Sequence, residues 1–288
     1  MLSILATAKI NLGLNVITKR PDGYHDVDMI MQSISLADQL SFVNHHEFKL
    51  TCSNRRLPVD STNLVWKAVS LLKAETGYSG GVKIHIIKRI PIAAGLAGGS
   101  SDAAAALVGL NRLWGLGLTK EQLMEIGVKI GADVPFCIFQ GTARSQGIGE
   151  KLTRINSKLQ TDVLIVTPDV HVTTASIYQK LQLDQLHNRP RIEPMIQALE
   201  DGNLAELQAN WGNVMEPVAL KEFPAILEVK EYFQKFGLVD NVMSGSGPTI
   251  FALNPPPDIV TPFLNSLPMG WFGCLTKLIT ENNQTKGD

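Results

Sequence analysis

The chain has 288 residues, 44% of them hydrophobic and 18% charged, which is enough to bury a core and long enough for two domains. Its 26 basic and 27 acidic side chains leave a formal net charge of −1, so no overall field attracts nucleic acid or an anionic membrane. We therefore expect neither as a partner, and an anionic ligand has to be held by local groups.

The N-terminus and the cysteines both indicate a cytoplasmic protein. The first residues, MLSILATAKINLGLNV, have no basic segment before a short apolar core, and polar residues recur too often for a membrane span. Cys52, Cys137 and Cys274 are an odd number at wide spacing without a C-x-x-C pair, which favours a reducing compartment. The sequence carries no signal for an oligomeric state.

The N-terminal region predicts a strand, a loop and a second strand. Residues 9–17 and 27–36 alternate apolar with polar, and they flank the turn-rich segment TKRPDGYHD, which contains Tyr24 and His25. Further along, residues 63–76 repeat apolar side chains at helical spacing, and residues 82–88 alternate like a strand.

A glycine-rich segment, PIAAGLAGGSSDAAAAL at 91–107, then joins this strand to an alanine-rich helix. Another helix should begin at Thr119, because Thr119 and Gln122 form a capping box. Residues 143–162 are polar and mixed, with no long apolar periodicity, and we assign them no element. We place a domain boundary near residue 155, which gives an N-terminal domain of residues 1–155 and a C-terminal domain of residues 156–288.

The C-terminal domain has an α+β pattern. A strand is predicted at 162–168, helices near 191–209 and 219–236, and two apolar strands separated by a Gly-Ser turn within VDNVMSGSGPTIFAL. The last residues, ENNQTKGD, are expected to be disordered.

The glycine-rich segment has the properties of an anion site. Gly95, Gly98 and Gly99 remove side chains that would keep a ligand from the backbone, and the helix then begins where the amides converge. A phosphate is the natural ligand, although a glycine-rich turn can also be no more than a tight connection. The chain contains neither a Walker loop nor a G-x-G-x-x-G fingerprint.

Four segments together resemble the GHMP kinase superfamily. They are AKINLGLNV at 8–16, the glycine-rich segment at 91–107, GADVPF at 131–136 and MSGSGPTIFAL at 243–253, and they span almost the whole chain in the family's order. The resemblance implies an α+β fold of two domains: an N-terminal domain like the second domain of ribosomal protein S5, and a ferredoxin-like C-terminal domain. AKINLGL, RPDGYHD and GADVPF together are most similar to the branch whose substrate carries a cytidine diphosphate.

The resemblance also implies the catalytic pair and the nucleotide site. Asp133 is similar to the family's catalytic aspartate and Lys9 to the lysine beside it; taken alone, Asp133 also suits a helix N-cap and Lys9 a solvated strand edge. ATP is the implied phosphoryl donor, with Mg²⁺ as its counterion and the Ser101 hydroxyl as one candidate ligand. The implied ATP-binding residues are Pro91, Ile92, Ala93, Ala94, Gly95, Leu96, Ala97, Gly98, Gly99, Ser100, Ser101 and Asn63. Asn63 suits a helix N-cap equally well, and Lys88 lies a few residues before the loop and could also approach the nucleotide.

Five residues are implied in substrate binding: Asn11, Tyr24, His25, Thr174 and Tyr178. By the resemblance, Tyr24 and Tyr178 stack on the two faces of a cytosine and His25 hydrogen-bonds its edge. A helix cap is an equal possibility for Thr174. Most members of the family have glycine where this chain has Ala94 or Ala97, and a methyl at Ala97 strains the loop if that residue requires a positive φ.

The activity implied by the resemblance is transfer of the γ-phosphoryl group of ATP to a hydroxyl of a small cytidylylated alcohol. Two alternatives remain: a GHMP enzyme that acts on another small alcohol, and a catalytically inactive nucleotide sensor. The aromatic residues argue against the first, because other alcohols have no base to stack. The presence of both Lys9 and Asp133 argues against the second.

Overall fold

The computed structural model of the protein describes residues 1–186 and 189–280; the predicted disorder of ENNQTKGD lies outside the described residues. The strands within these residues are β1 (Leu2–Lys19), β2 (His25–His45), β3 (Lys49–Cys52), β4 (Gly81–Ile87), β5 (Thr142–Gly147), β6 (Lys151–Arg154), β7 (Asp162–Thr167), β8 (Gly212–Asn213), β9 (Val242–Met243), β10 (Ile250–Leu253) and β11 (Phe272–Lys277). The α-helices are α1 (Leu64–Thr76), α2 (Gly98–Trp114), α3 (Lys120–Val128), α4 (Val134–Phe139), α5 (Thr174–Lys180), α6 (Ile192–Asp201), α7 (Leu204–Asn210), α8 (Glu216–Glu222), α9 (Pro224–Lys235) and α10 (Pro257–Asn265).

The first sheet is built on the long antiparallel pair β1 and β2. Its order is β3-β4-β2-β1-β8, while β5 pairs with β2 and β6 with β5, as far as the described residues extend. The two predicted N-terminal strands are therefore confirmed, and both are longer than the alternating pattern indicates. The β1–β2 register shifts between Thr7 and Lys9 and again between Asn11 and Gly13. These irregularities flank the segment that carries Lys9 and Asn11, and such bulges re-aim side chains.

Helices α1 and α2 cover one face of this sheet; α1 has the bounds that the sequence predicts to within one residue, and α2 begins within the glycine-rich segment. Asn63 caps α1 and Gly77 ends it with a positive φ of 69°, while the capping box of Thr119 and Gln122 is present at the start of α3. The alanine-rich α2 lies close to the sheet: a Cβ on Gly109 would come within 2.6 Å of the Phe42 ring. The small residues of α2 thus permit a tightly packed core.

The second sheet has the strand order β11-β7-β10-β9. All its neighbouring strands are antiparallel, and this order with crossover helices after β7 and β10 is the ferredoxin-like arrangement that the resemblance implied. The predicted hairpin within VDNVMSGSGPTIFAL is confirmed as β9 and β10. Phe233 of α9 packs edge-on against Phe263 of α10, with ring centroids 5.0 Å apart, in the core on one face of the sheet.

The segment left without an element at 143–162 is the main error of the sequence reading. It contains β5, which pairs with both β2 and β6, and β6, which forms the edge of the sheet there; both strands are short and polar, so they lack a long apolar alternation. The proposed boundary near residue 155 falls between β6 and β7. Beyond it the chain returns twice to the first sheet: β8 pairs with β1, and Ile279 N–H donates to Ser33 O (2.9 Å).

None of the helices in the described residues combines the length and the apolar character that crossing a membrane requires.

Candidate active site

A cleft of about 790 Å³ receives residues from both halves of the chain. The glycine-rich segment, which includes the start of α2, lines it together with the loop between β9 and β10, β1 and the start of α5. Lys9, Asp133, Tyr24, His25 and Tyr178 all line this one cleft, which brings the predicted catalytic and substrate-binding residues together.

The glycine-rich segment presents backbone amides and the start of a helix to the cleft. Gly95 has a φ of 73°, and Ala97, the N-cap of α2, has a φ of 56°. Ala97 therefore has a positive φ, which strains a residue that carries a Cβ. The positive end of the α2 dipole and its unpaired amides favour an anion here. The segment lines the cleft with Ala93, Ala94, Gly95, Ala97, Gly98, Gly99 and Ser100.

Five of the predicted nucleotide-binding residues do not line the cleft: Pro91, Ile92, Leu96, Ser101 and Asn63. The Ser101 hydroxyl is buried, and it donates to Thr7 O (2.5 Å). Ser101 therefore contributes to the packing of α2 against β1. Its hydroxyl does not face the cleft, so it is not placed to bind a metal ion there.

The glycine-rich segment is hydrogen-bonded to the loop between β9 and β10, which is the second glycine-rich loop of the cleft. The Ser244 hydroxyl donates to Gly95 O (3.0 Å), and the Thr249 hydroxyl donates to Ala94 O (2.6 Å). A Cβ on Gly95 would lie 2.3 Å from Ser244 O, so no larger residue fits this contact. The turn predicted within MSGSGPT therefore lies against the glycine-rich segment.

Lys9 lies where the two loops meet. Its ammonium donates to Asn11 Oδ1 (2.8 Å) and to Gly95 O (3.1 Å), and its Nζ is 3.8 Å from Asp133 Oδ2. The Lys9 side chain is 5% exposed, which excludes the solvated strand edge that the sequence left open. Lys9 N–H donates to Leu96 O (3.1 Å), so the strand irregularity at this point also connects β1 to the glycine-rich segment.

Asp133 has the position of an N-cap without the capping interaction. It precedes α4, yet its side chain makes no cap hydrogen bond. The carboxylate, 35% exposed, faces Lys9 and the cleft instead. This arrangement leaves an acidic group free to meet a substrate hydroxyl beside a fixed ammonium.

Asn11 and Asn63 are both engaged within the protein. Asn11 is buried: its oxygen accepts from Lys9, and its amide nitrogen is 3.2 Å from Met29 Sδ. The Asn63 oxygen accepts from Val65 N–H (2.9 Å) and its amide donates to Pro58 O (2.7 Å). The structure thus gives Asn63 the N-cap role. Asn11 lines the cleft and holds the Lys9 ammonium, and its role in substrate binding stays a prediction.

Lys88 lies below the glycine-rich segment within a buried ionic cluster. Its ammonium donates to Asp38 Oδ2 (2.5 Å) and to Asp102 Oδ2 (2.7 Å), and all three side chains are at most 3% exposed. Burial alone would lower the pKa of Lys88, but the two carboxylates raise it. Burial raises the pKa of Asp102 to about 7 against the opposing effect of Lys88.

The aromatic residues lie at another part of the cleft. The rings of His25 and Tyr178 are stacked, with centroids 4.7 Å apart and planes 24° apart, while Tyr24 is 59% exposed. Burial, and then the charge of Lys19, lower the pKa of His25, so its ring is neutral near pH 7 and has one donor and one acceptor nitrogen. Burial also raises the pKa of Tyr178.

Thr174 is the first residue of α5, and the preceding Thr173 caps the helix through its hydroxyl. The Thr174 hydroxyl instead lies 3.0 Å from the Ser246 hydroxyl in the second glycine-rich loop. Thr174 and Tyr178 both line the cleft, as their spacing of four residues on one helix predicts.

Sequence reasoning missed Asn213, which holds the second loop in place. This buried side chain donates to Met243 O (2.8 Å) and to Gly245 O (2.7 Å), and its oxygen accepts from Met215 N–H (2.9 Å). An isolated asparagine in WGNVMEP carries no motif, so its role depends entirely on tertiary contacts.

The two domains and the cleft between their loops define a GHMP kinase. The family profile for the GHMP kinases N terminal domain matches residues 63–141, and that for GHMP kinases C terminal matches residues 195–265. The homoserine kinase from Cytophaga hutchinsonii shares the fold, with a TM-score of 0.75 over 96% of this chain and 94% of that one, at 17% identity.

The more similar relatives belong to one branch of these kinases. The crystal structure of a 4-(cytidine 5'-diphospho)-2C-methyl-D-erythritol kinase has a TM-score of 0.81 at 32% identity, covering 96% of this chain and 99% of that one. The 4-diphosphocytidyl-2-C-methyl-D-erythritol kinase of Caldicellulosiruptor bescii is 45% identical over 88% of this chain and 89% of the relative, and that of Geobacillus kaustophilus is 47% identical over 88% of both. The chain belongs to the 4-diphosphocytidyl-2-C-methyl-D-erythritol kinase family.

Proposed function

We propose that this protein transfers the γ-phosphoryl group of ATP to the 2-hydroxyl of 4-diphosphocytidyl-2-C-methyl-D-erythritol, giving the 2-phosphate and ADP. This reaction belongs to the non-mevalonate route to isopentenyl diphosphate. One observation carries the proposal: the Lys9–Asp133 pair, 3.8 Å apart, lines the same cleft as the aromatic residues and the amides of the glycine-rich segment, which we call the phosphate loop. We also propose a cytoplasmic location and a division into domains at residue 155.

The pair supplies the two elements that phosphoryl transfer requires of a protein. Catalysis of this reaction depends mostly on positioning and on charge stabilisation. The Asp133 carboxylate accepts or orients the proton of the attacking hydroxyl, while the Lys9 ammonium stabilises negative charge on the γ-phosphoryl oxygens. Asn11 and Gly95 hold that ammonium from the side of the protein, so it needs no rearrangement at the moment of reaction.

ATP binds through its phosphates at the amides of the glycine-rich segment and the start of α2. We propose Mg²⁺ as its companion, which would neutralise charge on the β- and γ-phosphates when bound. Such an ion typically binds through one or two carboxylates and the substrate phosphates rather than a protein cage. In the cleft, Asp133 offers a carboxylate and Ser100 a hydroxyl; the described residues contain no cluster of three metal-binding side chains.

The substrate's cytosine is placed beside Tyr24, His25 and Tyr178. A neutral His25 offers a ring nitrogen as donor and another as acceptor for the base edge. Tyr24 and Tyr178 provide aromatic surface for stacking. The closeness of His25 to Tyr178 supports a single binding region, with the base at one part of the cleft and the reacting hydroxyl near Asp133.

A substrate panel tests the proposal. The purified protein is supplied with ATP and Mg²⁺ and with the cytidylyl substrate, mevalonate, homoserine or galactose, and both ADP and the phosphorylated product are measured. We expect product with the cytidylyl substrate only, and its loss in Asp133→Asn. Faster phosphorylation of another alcohol would contradict the substrate assignment. Nucleotide binding without turnover of any alcohol would instead favour the inactive nucleotide sensor.

A further inference from the structure

The cleft contains a second lysine that the catalytic arrangement does not use. Among the described residues that line it, Lys9 and Lys19 are the two with a permanent positive charge. Lys9 is committed to Asn11, Gly95 and Asp133. Lys19 is exposed, and no carboxylate in the described part of the chain lies within ion-pair distance of it.

The neighbouring cations differ from Lys19 because they are already paired. Arg20 contacts the carboxylates of Asp22 (3.1 Å) and Asp26 (3.3 Å). Lys180, at the end of α5, pairs with Glu222. The cations near Lys19 therefore have carboxylate partners, whereas Lys19 has none among the described residues.

The strand register places Lys19 beside the proposed cytosine region. Lys19, the last residue of β1, is directly opposite His25, the first residue of β2. Directly opposed residues of an antiparallel pair have Cβ atoms about 5 Å apart on the same face of the sheet. The charge of Lys19 also contributes to the lowered pKa of His25, as expected for two side chains that lie close together. A group attached to a base held at His25 is thus within reach of the flexible Lys19 side chain.

We propose that Lys19 binds the diphosphate of the nucleoside diphosphate portion of the substrate and so selects a charged cytidylyl compound over an uncharged one. This inference rests on the proposed function. A diphosphate carries several negative charges, and it needs a cation that the protein has not already neutralised. The phosphate loop and Lys9 serve the ATP phosphates and the reacting hydroxyl, which leaves Lys19 for the second anionic group.

A comparison of two ligands tests the proposal. The affinities of cytidine 5'-diphosphate and cytidine are measured by calorimetry in the wild-type protein, in Lys19→Met and in Lys49→Met. Lys49 is an exposed lysine of β3 that does not line the cleft, so its variant controls for the loss of one charge. We expect the preference for the diphosphate to fall about fivefold in Lys19→Met, with cytidine affinity unchanged, and to stay at the wild-type value in Lys49→Met.

Salt and kinetics provide independent readouts. The wild-type preference should decrease with rising salt, because Lys19 is exposed and its charge is screened, and Lys19→Met should lose this dependence. In turnover, Lys19→Met should raise the KM for the cytidylyl substrate about fivefold while the KM for ATP and kcat stay within about twofold.

The outcomes separate this proposal from the proposed function. An unchanged ratio of diphosphate to cytidine affinity in Lys19→Met overturns the role of Lys19 even if the wild-type protein phosphorylates the cytidylyl substrate. Equal loss of affinity for both ligands also overturns it, because that result indicates damage to the base region. Failure of the wild-type protein to bind either ligand or to turn over the substrate contradicts the proposed function itself.

Discussion

The hydroxyl of Ser244 and the carbonyl oxygen of Gly95, 3.0 Å apart, join two glycine-rich loops that lie 149 positions apart in the sequence. The same carbonyl accepts from the Lys9 ammonium, so the contact between the loops also helps to fix this cation, which we propose to be catalytic. Ser244 in addition accepts from Asn11 N–H at 3.3 Å. The glycine-rich segment, the loop between β9 and β10 and the Lys9–Asn11 part of β1 are thus parts of one hydrogen-bonded unit.

Replacing Ser244 by alanine should therefore affect both stability and turnover. The backbone N–H of Asn11 loses its acceptor in a buried site, and we expect the free energy of unfolding to fall by about 1–2 kcal/mol. Because Lys9 becomes less firmly held, kcat should fall about tenfold. Urea denaturation and steady-state kinetics measure the two effects. Ser266→Ala, which removes a hydroxyl bonded to Pro262 O at the end of α10, should reduce stability without changing kcat.

The Lys9–Asp133 pair predicts two variants with different consequences. Asp133→Asn keeps the shape of the side chain but removes its basic oxygen, so kcat should fall by about a hundred- to ten-thousandfold with little change in stability. Lys9→Met should reduce kcat comparably, and it should also destabilise the fold because Asn11 Oδ1 loses its buried donor. Thermal unfolding of both variants separates the effects. Retention of more than half the wild-type kcat in Asp133→Asn would exclude Asp133 from the chemistry.

Ala97 predicts a stabilising glycine substitution. Its φ of 56° is in the left-handed region, which costs an alanine about 1–2 kcal/mol, whereas glycine adopts it without strain. After the extra chain entropy of glycine is subtracted, Ala97→Gly should raise the free energy of unfolding by up to about 1 kcal/mol. Since the start of α2 itself sets this conformation, through Ser101 N–H to Ala97 O, the KM for ATP should change less than about twofold.

The neighbouring Ala94 supplies the matched control. It is buried, and it does not have the positive φ of Ala97. Ala94→Gly loses a packed methyl group and gains chain entropy in the unfolded state, so it should destabilise the protein by about 1–2 kcal/mol. Equal effects of the two substitutions in chemical denaturation would show that backbone strain at Ala97 has no measurable influence.

The features that sequence reasoning predicted correctly are those with local causes. The capping box at Thr119, the strand predicted at 162–168 and found at 162–167, and the start of α2 within the glycine-rich segment all follow from residues within one turn or one strand. The polar strands β5 and β6 were missed because β5 is held by its pairing with β2, and β6 by its pairing with β5, and these are tertiary interactions that the strands' own pattern does not encode.

The site shows the same division between local and long-range information. A glycine-rich motif indicates an anion site, yet it does not reveal that Ser101 faces β1 or that Asn63 uses both ends of its amide within the protein. Asp38 illustrates the limit most clearly. Its carboxylate accepts from the N–H groups of Arg89 (2.5 Å) and Ile90 (2.9 Å), 51 and 52 positions away, and so fixes the entry to the phosphate loop. No short motif in β2 indicates that contact.

The buried cluster of Lys88, Asp38 and Asp102 predicts a dependence of stability on pH. One cation faces two carboxylates, and Asp102 Oδ1 has no hydrogen-bond partner, so burial raises the pKa of Asp102 to about 7. In the unfolded chain an aspartate has a pKa near 4, and the folded protein therefore binds the proton more tightly. The stabilisation is complete below about pH 4 and is lost as the pH rises through about 7.

Asp102→Asn should remove this contribution, because asparagine resembles the protonated carboxyl group and keeps an acceptor for Lys88. Between about pH 6.5 and pH 8 the wild-type free energy of unfolding should fall relative to the variant by about 1 kcal/mol. Groups that titrate equally in both proteins, such as His25, cancel in the difference. The exposed Asp240→Asn is the control, and its difference from wild type should stay constant over the same range. A constant difference for Asp102→Asn as well would mean that Asp102 is ionised throughout, and that Lys88 outweighs burial.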